Sequence, residues 1–159
     1  MNTSTRIARY LNDNQIPFQQ IKHFHSNSSV GTGITASIAL KHIAKAVILI
    51  NHEDKKVMAV LPADHKISFS SLNESLHGSY RLMKEQEVYK LFSDCQPGAI
   101  PPIAQPYNLS VVCEEDLDRL PEVYLEAGDH ETLICVDQES FKNIMTTAKH
   151  MHFSREVFH

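Results

Sequence analysis

The chain has 159 residues, of which 42% are hydrophobic and 21% are charged, and its formal net charge is -4. This length and composition predict one globular domain with its own core, and they exclude a disordered tail, a collagen-like fibre and a disulfide-stapled miniprotein. The acidic balance argues against a protein that holds nucleic acid mainly by counterion release, but it allows a small site that grips one end of a nucleic acid.

The amino-terminal half of the chain predicts two helices and three strands. Apolar side chains at helical spacing favour a helix over residues 3–15 that Pro17 ends, and a second, short helix is expected over Ile34–Lys41. The strand patterns of this half are Phe18–Phe24, Ala44–Ile50 and Val57–Leu61. A polar turn joins the last two, so we expect them to pair.

The chain from residue 71 onward predicts three helices and three strands. Ser71–Glu74 has a capping-box pattern that opens a short helix ending at Gly78, another helix is expected over residues 84–93, and Asp137 caps a final helix over Gln138–Lys149. The β-type runs are Leu109–Cys113, Glu122–Glu126 and Thr132–Val136. Because strands and helices do not alternate regularly, the sequence predicts one α+β domain around a curved, mostly antiparallel sheet.

Several features indicate a cytoplasmic protein. No apolar run approaches the length that spans a bilayer, and the amino terminus leads into no signal-peptide core. Cys95, Cys113 and Cys135 are odd in number and show no CxxC spacing, so we expect reduced, mostly buried thiols. We expect a single domain over residues 1–159, with its core at about 4–150 and a tail over residues 151–159.

Lys45 is the first candidate for chemistry. It lies in the apolar run Ile43–Leu49, where a lysine is costly unless its ammonium has a partner or reaches solvent. One interpretation is a lysine whose stem lies along apolar surface while its charge stays in water. The other is a cation aimed into a pocket, where it holds a phosphate, a carbonyl or a carboxylate.

A proline-rich loop is the second candidate. Residues 95–107 contain four prolines, which give the loop a fixed course. Gly98 lets a ligand approach the backbone closely, while Pro101 and Pro102 keep the neighbouring N–H groups aimed. The loop is therefore either a rigid connector or an oxyanion hole.

The turn Gly128-Asp129-His130 is the third candidate. It follows one predicted strand and precedes another, so it is compatible with a plain Gly-Asp turn that carries a surface histidine. In a functional site, His130 would donate a hydrogen bond to a substrate or act as a general base.

The other histidines and the cysteines give weaker signals. The pairs His23/His25 and His150/His152 lack the converging carboxylate or thiolate ligands that a metal ion needs, so we expect no metal site. Cys95 lies beside the proline-rich loop, but no base stands near it in the sequence, which argues against a nucleophile.

Four segments of the chain form a specific combination. They are IAKAVIL (residues 43–49), VMAVLPAD (57–64), LFSDCQPGAIPP (91–102) and EAGDHETLI (126–134). In this order and at this spacing they resemble the YbaK/ProX family of aminoacyl-tRNA deacylases, which is related to the inserted editing domain of bacterial prolyl-tRNA synthetase. The resemblance covers about residues 4–150, although Ala46 stands where many members have threonine or a similar polar residue.

The resemblance implies a barrel-like sheet with helices packed outside, and hydrolysis of the ester that joins a wrongly attached amino acid to tRNA. The essential lysine of the family falls on Lys45. The oxyanion donors implied by its loop are the backbone amides of Gly98, Ala99 and Ile100. The substrate-binding residues implied by the resemblance are His25, Ser28, Ile34, Pro101, Pro102, Gly128, Asp129 and His130.

The resemblance also implies the partners and leaves alternatives open. We expect no cofactor and no membrane, the acceptor end of an aminoacyl-tRNA as substrate, and a synthetase or an elongation factor as a further partner of a monomer or homodimer. A small amino acid such as Ala, Ser, Thr, Cys or Pro would be released. One alternative is a non-catalytic binding module that senses an amino-acid-like ligand or a protein partner, which Ala46 keeps open, and another is a metal-dependent hydrolase that uses His23 and His25.

Overall fold

The computed structural model describes residues 4–22 and 38–157. The helices of these residues are α1 (Thr5–Asp13), α2 (Phe69–Leu76), α3 (Glu85–Leu91), α4 (Glu115–Asp118) and α5 (Gln138–Ile144), with 3-10 turns at Leu40–His42 and Gln105–Tyr107. The strands are β1 (Gln19–Lys22), β2 (Ile43–Ile50), β3 (Lys56–Pro62), β4 (His65–Ile67), β5 (Arg81–Leu82), β6 (Ser110–Glu114), β7 (Glu122–Glu126), β8 (Thr132–Asp137), β9 (Lys149–Met151) and β10 (Ser154–Glu156). None of the described helices is long and apolar enough to cross a membrane.

One large mixed sheet organises the described residues. Its strand order is β1-β8-β7-β2-β3-β6-β9, and β5 pairs with the far end of β2. The β2–β7, β3–β6 and β6–β9 pairs are parallel, and the other pairs are antiparallel, as is the small separate sheet of β4 and β10. The expected α+β class and mostly antiparallel sheet are therefore confirmed, although the described strands do not close into a barrel.

Apolar side chains pack on both faces of this sheet because successive residues of a strand point to opposite faces. Ile48 of β2 and Met58 of β3 lie in the larger core cluster, which also contains Leu11 of α1. The neighbouring residues Leu49 and Val57 lie in a smaller cluster. Members of that smaller cluster from outside these two strands are Leu72, Val112, Met151 and Phe153. The double burial explains why β2 and β3 read as continuous apolar runs rather than alternating ones.

The predicted element bounds hold best for the long strands. The expected runs Ala44–Ile50 and Val57–Leu61 correspond to β2 and β3, which pair in antiparallel register. The expected capping box was misplaced, because α2 begins at Phe69 after Ser68 and Ser71 therefore lies inside the helix. Asp137 does cap α5, through a 2.8 Å hydrogen bond from the Ser140 amide to its Oδ1, but that helix ends at Ile144 rather than at Lys149. Half of the helix expected over Ile34–Lys41, residues 34–37, lies outside the described residues, and the described half contains only the start of the 3-10 turn Leu40–His42.

Candidate functional site

Lys45 lies near the start of β2, between two strands of the large sheet. It pairs with Leu61 of β3, so it is on the same face as the smaller core cluster. On its other side β2 runs parallel to β7, where Ala44 pairs with Leu125. This register makes Glu126 the next residue beside Lys45 on the same face. The lysine is only half-buried, so its ammonium is not sealed inside the core.

The charge on Lys45 is set by burial and by two neighbouring charged groups. Burial lowers the pKa of the Lys45 ammonium, the Asp64 carboxylate opposes this shift, and the positive charge of Lys66 adds to it. The ammonium makes no hydrogen bond or ion pair with residues of the described ranges.

The proline-rich loop presents two backbone amides. Gly98 adopts φ 85°, a conformation that glycine tolerates, and Pro101 and Pro102 are buried. The Ala99 amide donates a 3.0 Å hydrogen bond to the Gln96 carbonyl oxygen, so this donor is already used inside the turn. The amides on either side of it, at Gly98 and Ile100, have no hydrogen-bond acceptor in the described part of the chain. Of the three amides expected to act as oxyanion donors, the Ala99 amide is thus occupied, and those of Gly98 and Ile100 are not occupied by the described residues.

The Gly128 turn packs directly against the base of this loop. The Gln96 amide donates a 2.8 Å hydrogen bond to the Gly128 carbonyl oxygen. Gly128 has φ 110°, and a Cβ atom there would stand 3.2 Å from Cys95 Sγ, so the position needs glycine both for its conformation and for its space. Asp129 Oδ1 accepts hydrogen bonds from the amides of Glu131 and Thr132, at 2.9 and 2.8 Å. Its carboxylate therefore holds the turn in shape.

His130 joins the turn to the loop. Its side chain is buried, and its backbone has φ 62°, which is uncommon for a residue with a Cβ atom. Its Nε2 is hydrogen-bonded to the carbonyl oxygen of Pro97. Because a carbonyl oxygen only accepts, Nε2 carries the proton. The residue next to Gly98 is thus held by a side chain 33 positions further along the chain.

A polar cluster supports the loop from the other side. Asp94 accepts hydrogen bonds from the Ser4 hydroxyl and, at 2.9 Å, from the Tyr107 hydroxyl. Burial pushes the pKa of Asp94 up, but the hydrogen bonds from Ser4 and Tyr107 outweigh it and hold the pKa below its usual value. The Ser4 amide also donates to the Ala127 carbonyl oxygen at 3.0 Å. The start of α1 therefore ties the loop and the turn together.

Cys95 lies inside this support rather than in a reactive position. Its Sγ atom is 3.5 Å from the Tyr107 hydroxyl oxygen, and burial raises the pKa of the thiol to about 11. A thiol with that pKa is protonated at neutral pH, which is unfavourable for a nucleophile. Nothing in the sequence near Cys95 points to Tyr107, because the two residues meet only after the loop has folded.

Three of the expected substrate-binding residues lie outside the described residues. His25, Ser28 and Ile34 belong to the undescribed range 23–37.

Two clusters of side chains that could bind a metal ion lie within the described residues. The first donor cluster is Cys113, Asp118 and His150, and the second is His65, Glu114 and Asp116. His150 Nδ1 already pairs with Asp118 at 2.7 Å, and the Glu114 carboxylate already accepts five hydrogen bonds. We interpret both clusters as hydrogen-bonded networks.

Comparison with known sequences defines the class of protein. A family model described as the aminoacyl-tRNA editing domain matches residues 34–144. This range contains the lysine, the loop and the turn described above. The chain therefore belongs to the aminoacyl-tRNA editing domain family, as its resemblance to the YbaK/ProX deacylases led us to expect. No curated protein sequence matches the chain significantly.

Solved structures share the fold at low sequence identity. The hypothetical protein APE2540 superposes with a TM-score of 0.84 at 17% identity, covering 94% of this chain and 99% of its own. A proposed trans-editing enzyme for prolyl-tRNA synthetase gives a TM-score of 0.79 at 15% identity, with 96% of each chain covered. A proposed signal transduction protein from Marinobacter aquaeolei VT8 gives 0.79 at 18% identity, covering 95% of this chain but 30% of its own. In that last protein the fold is one part of a longer chain.

Proposed function

We propose that this protein is a trans-acting aminoacyl-tRNA deacylase, which hydrolyses the ester bond of a tRNA charged with the wrong, small amino acid. The observation that carries the proposal is the loop around Gly98, which is held by the Gly128 turn and leaves the amides of Gly98 and Ile100 without acceptors among the described residues. Membership of the editing domain family supports this chemistry, and so does the half-buried ammonium of Lys45.

The proposed reaction is attack of water on the ester carbonyl carbon. The water oxygen forms the new bond to carbon, the bond to the ribose oxygen breaks, and the ribose oxygen leaves with a proton. Negative charge builds on the carbonyl oxygen, where the amides of Gly98 and Ile100 would donate hydrogen bonds. A fixed donor of this kind contributes roughly 3 kcal/mol to the stabilisation of the transition state.

Lys45 would bind the substrate rather than remove its proton. An ammonium is a compact cation that suits a phosphate or ribose oxygen of the terminal adenosine, and holding that end orients the ester at the loop. In this scheme a hydroxyl or amino group of the substrate itself activates the water, as the family resemblance suggests.

His130 would act through the loop in this scheme. Its Nε2–H is already donated to the Pro97 carbonyl oxygen, so the imidazole fixes the direction of the following Gly98 amide. Pro101 and Pro102 stiffen the other side of the same loop. Pocket size and amino-acid choice would then depend on the loop walls together with His25, Ser28 and Ile34.

The test is deacylation of tRNAs that carry Ala, Ser, Thr, Cys or Pro by the wild type, by Lys45→Ala and by Lys41→Ala. Lys41 is the matched control, because it is an exposed lysine just before the same strand. We expect release of one or a few of these amino acids, a loss of roughly 100-fold or more in kcat/KM in Lys45→Ala, and little change in Lys41→Ala.

Two outcomes would count against the proposal. Equal activity of Lys45→Ala and the wild type would remove Lys45 from the site. No release from any verified tRNA by the folded protein, together with binding of an aminoacyl-adenosine analogue, would assign a binding module instead of an enzyme. The same assay with a synthetase or an elongation factor added tests whether either acts as a partner.

A further inference from the structure

Two residues with metal-binding side chains, Asp64 and His65, lie next to each other where β4 begins. The side chains of both residues are only 10% exposed. The Oδ1 atom of Asp64 is buried and has no hydrogen-bond partner among the described residues. A carboxylate oxygen in such a place is costly unless a cation or a proton balances its charge.

The hydrogen-bonded network around Glu114 determines which nitrogen of His65 carries a proton. The Ser154 hydroxyl donates to Glu114 Oε1 at 2.6 Å. Because its proton is used there, the same hydroxyl must accept at its 2.8 Å contact with His65 Nδ1, which therefore carries a proton. The lone pair of the neutral imidazole is then on Nε2, and this is the atom that can bind a metal ion.

The Nε2 atom of His65 faces two carboxylates that come from different parts of the chain. It lies 3.7 Å from Asp64 Oδ1 and 3.9 Å from Asp116 Oδ2, and both distances are longer than a hydrogen bond. The other carboxylate oxygen of Asp116, Oδ1, accepts a 3.2 Å hydrogen bond from Arg119 in the same helix region. Two carboxylate oxygens and one ring nitrogen therefore lie together without hydrogen bonds between them.

The spacing and the charge of these atoms fit a divalent metal ion. Zinc binds histidine nitrogen and carboxylate oxygen at about 2.1 Å, and two tetrahedral ligands at that bond length stand roughly 3.4 Å apart. The two distances at His65 exceed this separation by about half an ångström or less. Two carboxylates and a neutral imidazole carry a double negative charge, which a divalent cation neutralises. Ser154 and Glu114 hold the ring from behind, as the outer partners of a metal-binding histidine do.

We propose that Asp64, His65 and Asp116 form a binding site for one Zn²⁺ ion. The three protein ligands are Asp64 Oδ1, His65 Nε2 and Asp116 Oδ2, and a water molecule is the fourth ligand. Glu114 is not a ligand, because its carboxylate already accepts five hydrogen bonds. The ion joins the start of β4 to α4 and stabilises the fold there. The site is independent of the proposed deacylation, whose lysine, loop and turn supply none of its ligands.

The experiment measures Zn²⁺ binding to the full chain after metal ions have been removed with EDTA and dialysis. Isothermal titration calorimetry with ZnCl₂ near neutral pH should give one tight site per chain, and the ion should raise the melting temperature. We expect Asp64→Asn and Asp116→Asn each to weaken binding by about 100-fold or more, since loss of an outer partner alone costs roughly 10- to 100-fold. The matched control is His150→Gln, which removes the histidine of the other donor cluster and should bind Zn²⁺ as the wild type does.

Three results of the titration would overturn the proposal. They are no binding by the wild type, equal affinity of the wild type and Asp116→Asn, and loss of binding in His150→Gln. The second and third would place the ion on other donors of the chain. The side chain of Asp116 is 38% exposed, so we expect Asp116→Asn to keep the fold and to decide the question even where Asp64→Asn unfolds.

Nuclear magnetic resonance of His65 separates the metal ion from a proton. A doubly protonated ring between the two carboxylates is the other way to balance their charge. Two-bond ¹H–¹⁵N correlation spectra report the state of both ring nitrogens, and the His65 signals are assigned as those that disappear in His65→Gln. We expect Zn²⁺ to shift Nε2 in the wild type but not in Asp116→Asn, while Nδ1 keeps its proton. A proton that stays on Nε2 in the presence of equimolar Zn²⁺ would overturn the proposal.

Discussion

At the scale of single residues, Gly128 combines two demands that no other amino acid meets. Its φ of 110° lies where side chains are strained, and the space where a Cβ atom would be is bounded by Cys95 Sγ. We expect Gly128→Ala to lower the free energy of unfolding by about 2 kcal/mol, from strain and crowding together. Urea unfolding monitored by circular dichroism measures this difference.

A second variant separates the two causes at Gly128. Cys95→Ala removes the crowding sulfur atom. In that background, alanine at position 128 loses stability only through the strain of its backbone conformation. We expect Gly128→Ala to cost less in Cys95→Ala than in the wild type, but still about 1 kcal/mol. Equal costs in both backgrounds would show that Cys95 does not limit the space at the turn.

The sequence alone predicts those site residues whose residue type is unusual in its surroundings. It does not predict the residues that contact them. Lys45 stands out as a charge in an apolar run, and Gly98 and Gly128 stand out as glycines beside fixed turns. Asp94 looks like an ordinary surface acid in the sequence. Its importance comes from groups that are distant along the chain, such as Ser4, which is 90 positions before Asp94. No local pattern carries such information.

At the scale of elements, the end of β6 is joined to β10 by Glu114. This carboxylate is fully buried and accepts hydrogen bonds from the Phe153 and Ser154 amides, the Ser154 hydroxyl and His152 Nδ1. Burial pushes the pKa of Glu114 up, but the bonds from Ser154 and His152 outweigh it and hold the pKa below its usual value. The hydrogen bond to this carboxylate raises the pKa of the exposed His152.

These two pKa shifts predict the pH range in which the junction stabilises the fold. The junction is the set of hydrogen bonds that Glu114 accepts from His152, Phe153 and Ser154. The contribution of Glu114 is fully present above its ordinary pKa of 4.5 and is lost as the pH falls through the lowered value. The contribution of His152 is fully present below its ordinary pKa of 6.5 and is lost as the pH rises through the raised value. The junction is therefore strongest between these two ordinary values.

Glu114→Gln tests the junction. We expect it to lower the free energy of unfolding by about 3 kcal/mol near pH 6, since it removes a buried charge around which several donors are arranged. The deficit should shrink as the pH falls, because the wild-type carboxylate is then protonated as well. Urea unfolding at pH 3, 6 and 9 measures this deficit. The control is His152→Ala. It should lower the free energy of unfolding only at pH values below the raised pKa of His152. A deficit that stays constant from pH 3 to 9 would contradict the assignment.

Short elements were the ones that the sequence did not predict. β4, β5, β9 and β10 have two or three residues each, which is too short for an alternating pattern to emerge. Their strand conformation depends on partners, as when β10 pairs with β4 across the whole of both strands. β2 and β3, with eight and seven residues, carry enough apolar and β-branched side chains to be recognised alone.

At the scale of the whole molecule, the net charge of -4 limits how the protein can bind tRNA. An acidic protein gains little from a long phosphate track, so the proposed site would contact the acceptor end through one or two cations such as Lys45. Each neutralised phosphate of a single strand contributes about −0.7 to the slope of log affinity against log salt. We expect a slope of about −1 for tRNA binding, measured by filter binding or anisotropy over roughly 50 to 200 mM salt. A slope steeper than about −3 would indicate an extended interface instead.

Sequence patterns do not predict which strands are neighbours in the sheet. The hairpin of β2 and β3 follows from a short polar turn, but the parallel β2–β7 and β3–β6 pairs join segments that are far apart in the chain. Strand patterns give the apolar faces without saying which strands are neighbours. The resemblance to a known family supplied the expectation of a barrel-like sheet, and the described strands form an open sheet instead.

The pairing of β1 with β8 has a consequence for how the protein is made. Gln19 pairs with Cys135, so the first strand leaves the ribosome long before its partner exists. At ordinary translation speeds this interval lasts roughly ten seconds. Ser4 is likewise synthesised long before Asp94 and Ala127, its hydrogen-bond partners at the candidate site. A ribosome that stalls before residue 132 therefore exposes a nascent chain whose first strand is unpaired, and this is the form that chaperones and proteases have to handle.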